Sequence, residues 1–194
     1  MLISECQRGV IEDGLSPFPT LVQQAAERGT VEKINALADA FRAAGLPVFH
    51  LHVVHRADYA DVPVTNVILA RSVKQGRMAF GTPDVDSVAG LPIAADDILH
   101  ARPFSLVAFH GTDLDQQLRN RGVGTLVLCG VSTNVAVSGS ALCGSDLGYQ
   151  VVVPEDCIAG ASAESHAFIV QQLLPLYATM STGADVARAL SNLA

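Results

Sequence analysis

Short apolar runs alternate along this chain with stretches whose apolar residues recur every three or four positions. Leu2–Cys6, Pro47–Val54, Ile98–His100, Thr125–Cys129, Tyr149–Pro154 and Ala178–Met180 are runs of strand length. Val31, Ile34, Leu37, Ala38 and Phe41 share one face of a helix that Thr30 would cap and Gly45 would stop, with Pro47 just beyond. Further helices are predicted over Thr112–Arg121, Asn134–Leu147, Ser162–Leu174 and Gly183–Leu193, with Gly122 and Gly148 as stops. Asp113 and Asp115 suit the positive end of the first of these. Strands alternating with helices predict a parallel sheet covered on both faces. The expected fold class is therefore α/β, one three-layer α/β/α domain over residues 1–194 with a six-stranded, mainly parallel sheet. Residues 56–96, rich in Pro, Gly and Asp, break the rhythm and are expected to be irregular.

Composition narrows the class. A chain of 194 residues can bury one sizeable core, and 49 % apolar with only 16 % charged residues excludes disorder. His, Arg, Asp or Gly interrupts every apolar run before it reaches spanning length, so no membrane segment is expected. The start, MLISECQRG, lacks a basic region and meets Glu5 at once, unlike a signal peptide. A net charge of −7 argues against a nucleic-acid partner. Cys6, Cys129, Cys143 and Cys157 lie far apart in apolar contexts, which reads as reduced thiols in a cytoplasmic protein.

Sites in open parallel sheets form beyond the carboxyl ends of the strands. Glu5–Gln7, His50–His55, the segment after His100, and Gly130–Ala136 all fall there. In the last, CGVSTNVAV leads a strand into a helix through Gly130, Ser132, Thr133 and Asn134. Such a turn is either an ordinary cap or a cluster of backbone N–H groups able to stabilise an oxyanion.

GVSTNVAV followed by GYQVVVPEDCIAG, FHGTDLDQQLR upstream of both, and an acidic-x-Gln triplet closing the first strand resemble the isochorismatase-like family of cysteine hydrolases. The likeness covers nearly the whole chain, strongest over 109–160 and weakest over 56–96. It implies a Rossmann-like fold, hydrolysis of small amides or of a vinyl ether, and a homodimer or homotetramer. It also implies an Asp general base, a Lys, a Cys nucleophile, and an oxyanion hole beside a non-proline cis peptide. Carried over position by position, the acid falls on Glu5 and the cis peptide on Val131–Ser132, with oxyanion amides at Ser132 and Ala136. The lysine is missing; the nearest cation is Arg102, which cannot shuttle protons but can hold a carboxylate. The nucleophile falls on Ala136, whose methyl group cannot attack. Ser132, Thr133, Asn134 and Gln7 make up the expected substrate-binding set.

The expected function is hydrolysis of a small, carboxylate-bearing molecule by acid-assisted water attack, with Glu5 as the acid and Arg102 on the substrate carboxylate. Two alternatives are a non-catalytic ligand-binding or scaffold protein, and a Cys-dependent amidohydrolase altered from Cys to Ala at 136. All three catalytic positions depart from the family pattern together, which favours divergence over a single engineered change. No other nucleophile stands out: Cys129 reads as core, Cys6 points away from Glu5, Cys143 lies two turns down its helix, and Cys157 approaches the rim. His50 and His52 share one face of the second strand and His55 follows it; they read as core or pocket-lining. Metal-binding members carry an Asp where Phe49 and His50 stand, so neither a metal nor a cofactor is expected. His110 reads as a cap or mouth residue and His166 as surface or interface. Arg71, Lys74 and Arg77 read either as a solvated loop or as a lid that attracts an anionic substrate.

Overall fold

The computed structural model describes residues 1–192. Strand β1 (Leu2–Ser4) is followed by α1 (Arg8–Ile11), α2 (Pro19–Glu27) and α3 (Thr30–Ala43), then by β2 (Phe49–Val53), α4 (Val67–Lys74) and β3 (Ile98–Arg102). The second half runs α5 (Leu114–Asn120), β4 (Thr125–Val131), α6 (Ser138–Asp146), β5 (Gln150–Pro154), β6 (Ile158–Ala159), α7 (Ala163–Phe168), β7 (Thr179–Ser181) and α8 (Gly183–Ser191). The sheet has the order β3-β2-β1-β4-β5-β7, and every pairing in it is parallel. The six predicted strands form this path. The seventh, β6, is a two-residue strand lying parallel to the end of β4, too short to show as a run in the sequence.

Strand alternation sends side chains to two separate cores, the signature of a three-layer sandwich. Leu2, Leu126 and Leu128 pack with Leu114 and Leu118 of α5 and Ala141 of α6. Ile3, Val127, Cys129 and Val131 pack on the other face with α3 and α8. The predicted face of α3 is the buried one, through Ile34, Leu37, Ala38 and Phe41. Each such large side chain contributes about 1.5–3 kcal/mol relative to exposure. Gly45 closes α3 as predicted: its amide reaches the Arg42 carbonyl and the Leu46 amide reaches the Phe41 carbonyl, a pairing its φ of 66° permits.

Several boundaries differ from the sequence reading. Thr30 is the first helical residue and is buried, so the cap position is Gly29. Helix α5 begins only at Leu114, after Thr112 has turned its hydroxyl to the Ala108 carbonyl. The helix predicted from Asn134 opens with a wider turn over Thr133–Val137, in which the Val137 amide reaches back to the Ser132 carbonyl at 3.1 Å. The helix predicted over Ser162–Leu174 keeps its regular hydrogen bonding only through Phe168. It then widens over Ile169–Leu173 and tightens at Pro175, which has no N–H to donate. Leu193, the predicted end of the last helix, lies outside the described residues. Residues 56–96 were expected to be irregular, yet they contain α4, a full helix capped by the Asn66 side chain on the Leu69 amide at 3.0 Å.

Candidate active site

At the end of β1 the backbone leaves the sheet at Glu5, which adopts a left-handed φ of 51° while its amide still donates to Leu51 of β2 at 3.0 Å. The turn aims the carboxylate off the carboxyl edge of the sheet, where Arg102, the last residue of β3, meets it. Arg102 Nη2 donates to Glu5 Oε1, and Nε donates to the Ser105 carbonyl at 3.1 Å. Arg102 is 1 % exposed, and its Nη1 has no hydrogen-bond partner among the described residues. Burial pushes the Glu5 carboxyl above the usual carboxylate range, with Arg102 pulling against it. The carboxylate that Arg102 holds in this structure is that of Glu5.

Across β4 the backbone turns at Gly130. A Cβ there would lie 2.2 Å from the Ser4 carbonyl oxygen, and its φ of 101° is one that only glycine adopts readily. The following peptide, Val131–Ser132, is cis, at the position the sequence resemblance implies. Beyond it, Asn134 Oδ1 accepts the Ala161 amide at 2.7 Å and so ties the turn to the segment before α7.

Between these features lies a cavity of about 340 Å³, walled by Glu5, Ser132 and Asn134 on the sheet side and by Leu69, Arg71 and Ser72 of α4 on the other. Three of the four described non-glycine residues with positive φ, Glu5, Met78 and Ser105, line it. Such backbone conformations concentrate at functional sites. The remaining predicted residues do not reach the cavity wall. Arg102 stands behind Glu5, and Ala136 is 2 % exposed in the core of the turn. Gln7 was expected to bind substrate, but it is fully buried with its amide committed internally. Its Nε2 donates to the Val53 and Val85 carbonyls, and its Oε1 accepts the Val53 amide. Thr133 was assigned the same role, but it is buried with its hydroxyl 2.9 Å from His166 Nδ1.

That contact also corrects His166, which was expected at the surface and is 5 % exposed. Burial lowers its pKa to about 4. Cys157, expected near the rim, is wholly buried in the core with Cys6 and Cys129. His110 is exposed and does not line the cavity. His50 pairs with Asp97 at 3.0 Å, and the same carboxylate is gripped by Arg42 of α3; His52 bonds the Val85 carbonyl at 3.0 Å. The three histidines therefore do not converge, and no group of three or more His, Cys, Asp or Glu among the described residues is placed to hold a metal. His55 alone of the three lines the cavity. Its Nδ1 faces the Pro103 carbonyl and its Nε2 lies 3.0 Å from Ser72 Oγ.

The basic group divides. Arg77 is fixed by Asp84 at 2.8 Å and by the Leu15 carbonyl, Lys74 is exposed away from the cavity, and Arg71 lines the wall with no ion-pair partner among the described residues. The sequence reading passed over Ser72 and α4. Leu69, Ala70 and Val73 do fall at helical spacing, but over only eight residues and within a segment rich in Pro, Gly and Asp, which was read as irregular throughout.

Comparison with known proteins agrees with this architecture. Residues 1–185 match the Isochorismatase domain. The isochorismatase family protein YecD of Escherichia coli O157:H7 is 34 % identical over 187 residues, covering 93 % of this chain and 92 % of that protein. The ureidoacrylate amidohydrolase RutB of Rhizobium rhizogenes is 31 % identical over 144 residues, 68 % of this chain and 58 % of that protein. A crystal structure of a cysteine hydrolase from Pseudomonas syringae pv. phaseolicola superposes with a TM-score of 0.87 at 25 % identity, covering all of this chain and 92 % of that one. The chain belongs to the isochorismatase family and has that family's hydrolase fold.

Proposed function

We propose that this protein hydrolyses a small, carboxylate-bearing molecule in the cavity by acid-assisted attack of water, without a cysteine nucleophile. The observation that carries this reading is a half-buried carboxyl group, Glu5, on the same cavity wall as the Ser132 turn, with only a methyl group at position 136. Desolvation raises the pKa of this carboxyl against the pull of Arg102, which favours its acting as proton donor to a leaving oxygen or nitrogen, or to a vinyl ether carbon. Water then adds to the electrophilic carbon, the C–O or C–N bond breaks, and a proton from the water restores Glu5. Arg102 positions Glu5, and the substrate carboxylate falls to Arg71, the wall guanidinium that has no ion-pair partner among the described residues. Amidohydrolases among the relatives support a hydrolytic reading, and the absence of both the family Lys and Cys from their positions favours chemistry without an acyl-enzyme on sulfur.

Glu5→Gln keeps the size of the side chain and removes its acidic proton. The melting temperature is expected to fall, because buried Arg102 loses its anionic partner. Turnover of a panel of vinyl ethers and amides is therefore measured where circular dichroism shows the variant folded. It is expected to fall at least ~10²-fold, and full activity in this variant would overturn the reading. The missing Lys and Cys also favour a second reading, a binding protein without turnover. It predicts ligand-induced thermal stabilisation with no product from any member of the panel. A homodimer or homotetramer belongs to the same proposal and is supported by the exposure of Phe80, Phe168 and Leu176 at 75 %, 63 % and 77 %. Sedimentation at micromolar concentration tests it.

A further inference from the structure

We infer that Ser72 and His55 form a nucleophile–base pair on the α4 wall of the cavity, suited to acyl transfer from a small ester with an apolar acyl group. This rests on the cavity being the substrate site, as in the reading above, but not on Glu5 acting as an acid.

The hydrogen-bond partners assign the protons of the pair. The Pro103 carbonyl only accepts, so His55 Nδ1, which faces it, carries the ring hydrogen. Nε2 then presents a lone pair, and the Ser72 hydroxyl 3.0 Å away is its donor. The other acceptor within reach of that hydroxyl, the Arg77 carbonyl, is more distant at 3.3 Å. A hydroxyl bonded to an imidazole whose far nitrogen is oriented by a third group is the arrangement that activates serine. His55 is 1 % exposed and burial lowers its pKa, which favours the neutral ring with its lone pair on Nε2. Phe18, Leu21, Leu69, Met78 and Leu106 supply the apolar wall against which an acyl group would lie.

In the reaction, Ser72 Oγ bonds to the ester carbonyl carbon as its proton passes to His55 Nε2. The C–O bond to the alcohol then breaks, and the alcohol leaves with that proton. Water repeats the sequence on the acyl-serine: its proton goes to Nε2, the C–Oγ bond breaks, and Ser72 recovers its hydrogen. No oxidant or cofactor enters.

The same hydrogen bond would also serve merely to latch α4 onto the end of β2, and reactivity separates the two roles. The full chain is treated with diisopropyl fluorophosphate and mapped by peptide mass. One adduct is expected on Ser72, formed at least ~10²-fold more slowly in His55→Gln. An unlabelled Ser72 in folded protein, or labelling at an unchanged rate in His55→Gln, would overturn the inference. Should His55→Gln fail to fold, Ser72→Ala is assayed with p-nitrophenyl acetate: hydrolysis falling to the buffer rate supports the pair, and retained hydrolysis sinks it. The Glu5→Gln assay uses vinyl ethers and amides instead, so the two readings fail separately.

Discussion

Glu5 and Arg102 form an ion pair at the carboxyl edge of the sheet, and this pairing governs what a thiol introduced at position 136 would do. In Ala136→Cys the sulfur would enter a buried turn, and Arg102, the cation at the sheet edge, is permanently charged and already bound to a carboxylate. The variant is expected to fold yet stay inert to iodoacetamide and to amides; amidase turnover would instead mark the protein as a cysteine hydrolase lacking only its sulfur. Gly130→Ala should be far more damaging, because its Cβ meets the β1 backbone rather than a movable side chain. A loss of more than about 3 kcal/mol, seen as a collapse of soluble yield or melting temperature, is expected. Glu5, Ser132 and Asn134 were legible from sequence because strand ends in a parallel sheet converge by topology. Gln7 and Thr133 were misread because polarity alone does not say where a donor is satisfied. Gln7 bonds Val53 and Val85, distant along the chain, and Thr133 bonds His166 on another helix.

Among the elements, the periodic helices α3 and α5 were readable because one face of each meets the sheet. Helix α4 was not: it buries only Leu69, leaves Val67 74 % exposed, and is held by its cap and its neighbours rather than by a stripe. Its stability is therefore local. Asn66→Ala is expected to weaken it by about 1 kcal/mol and to speed amide exchange across α4 without shifting global unfolding. Equal acceleration in β1 and β4 would contradict this.

At the scale of the whole molecule, five histidines, His50, His52, His55, His100 and His166, are buried. Burial holds their pKa values below 6.5, at about 4 for His52 and His166. Below pH 6.5 the unfolded chain takes up protons that the native state refuses, so stability falls as pH falls toward 4. Each histidine adds a slope of up to about 1.4 kcal/mol per pH unit in that window. Glu5 works in the opposite sense, since its raised carboxyl is protonated first in the native state. Urea midpoints measured from pH 7.5 to 4.5 should decline steadily; a flat profile would show that these rings are not held neutral.

One consequence follows from where α4 sits. The sheet, the Gly130 turn and the Glu5–Arg102 pair are mutually interlocked, so that altering any one of them disturbs the others. The opposite wall hangs on one side-chain cap, one buried leucine and the Ser72–His55 hydrogen bond. Mutations there are cheap for the fold and expensive only for whatever occupies the cavity. Selection for new substrates would thus accumulate its record in α4, while the strand ends stay still.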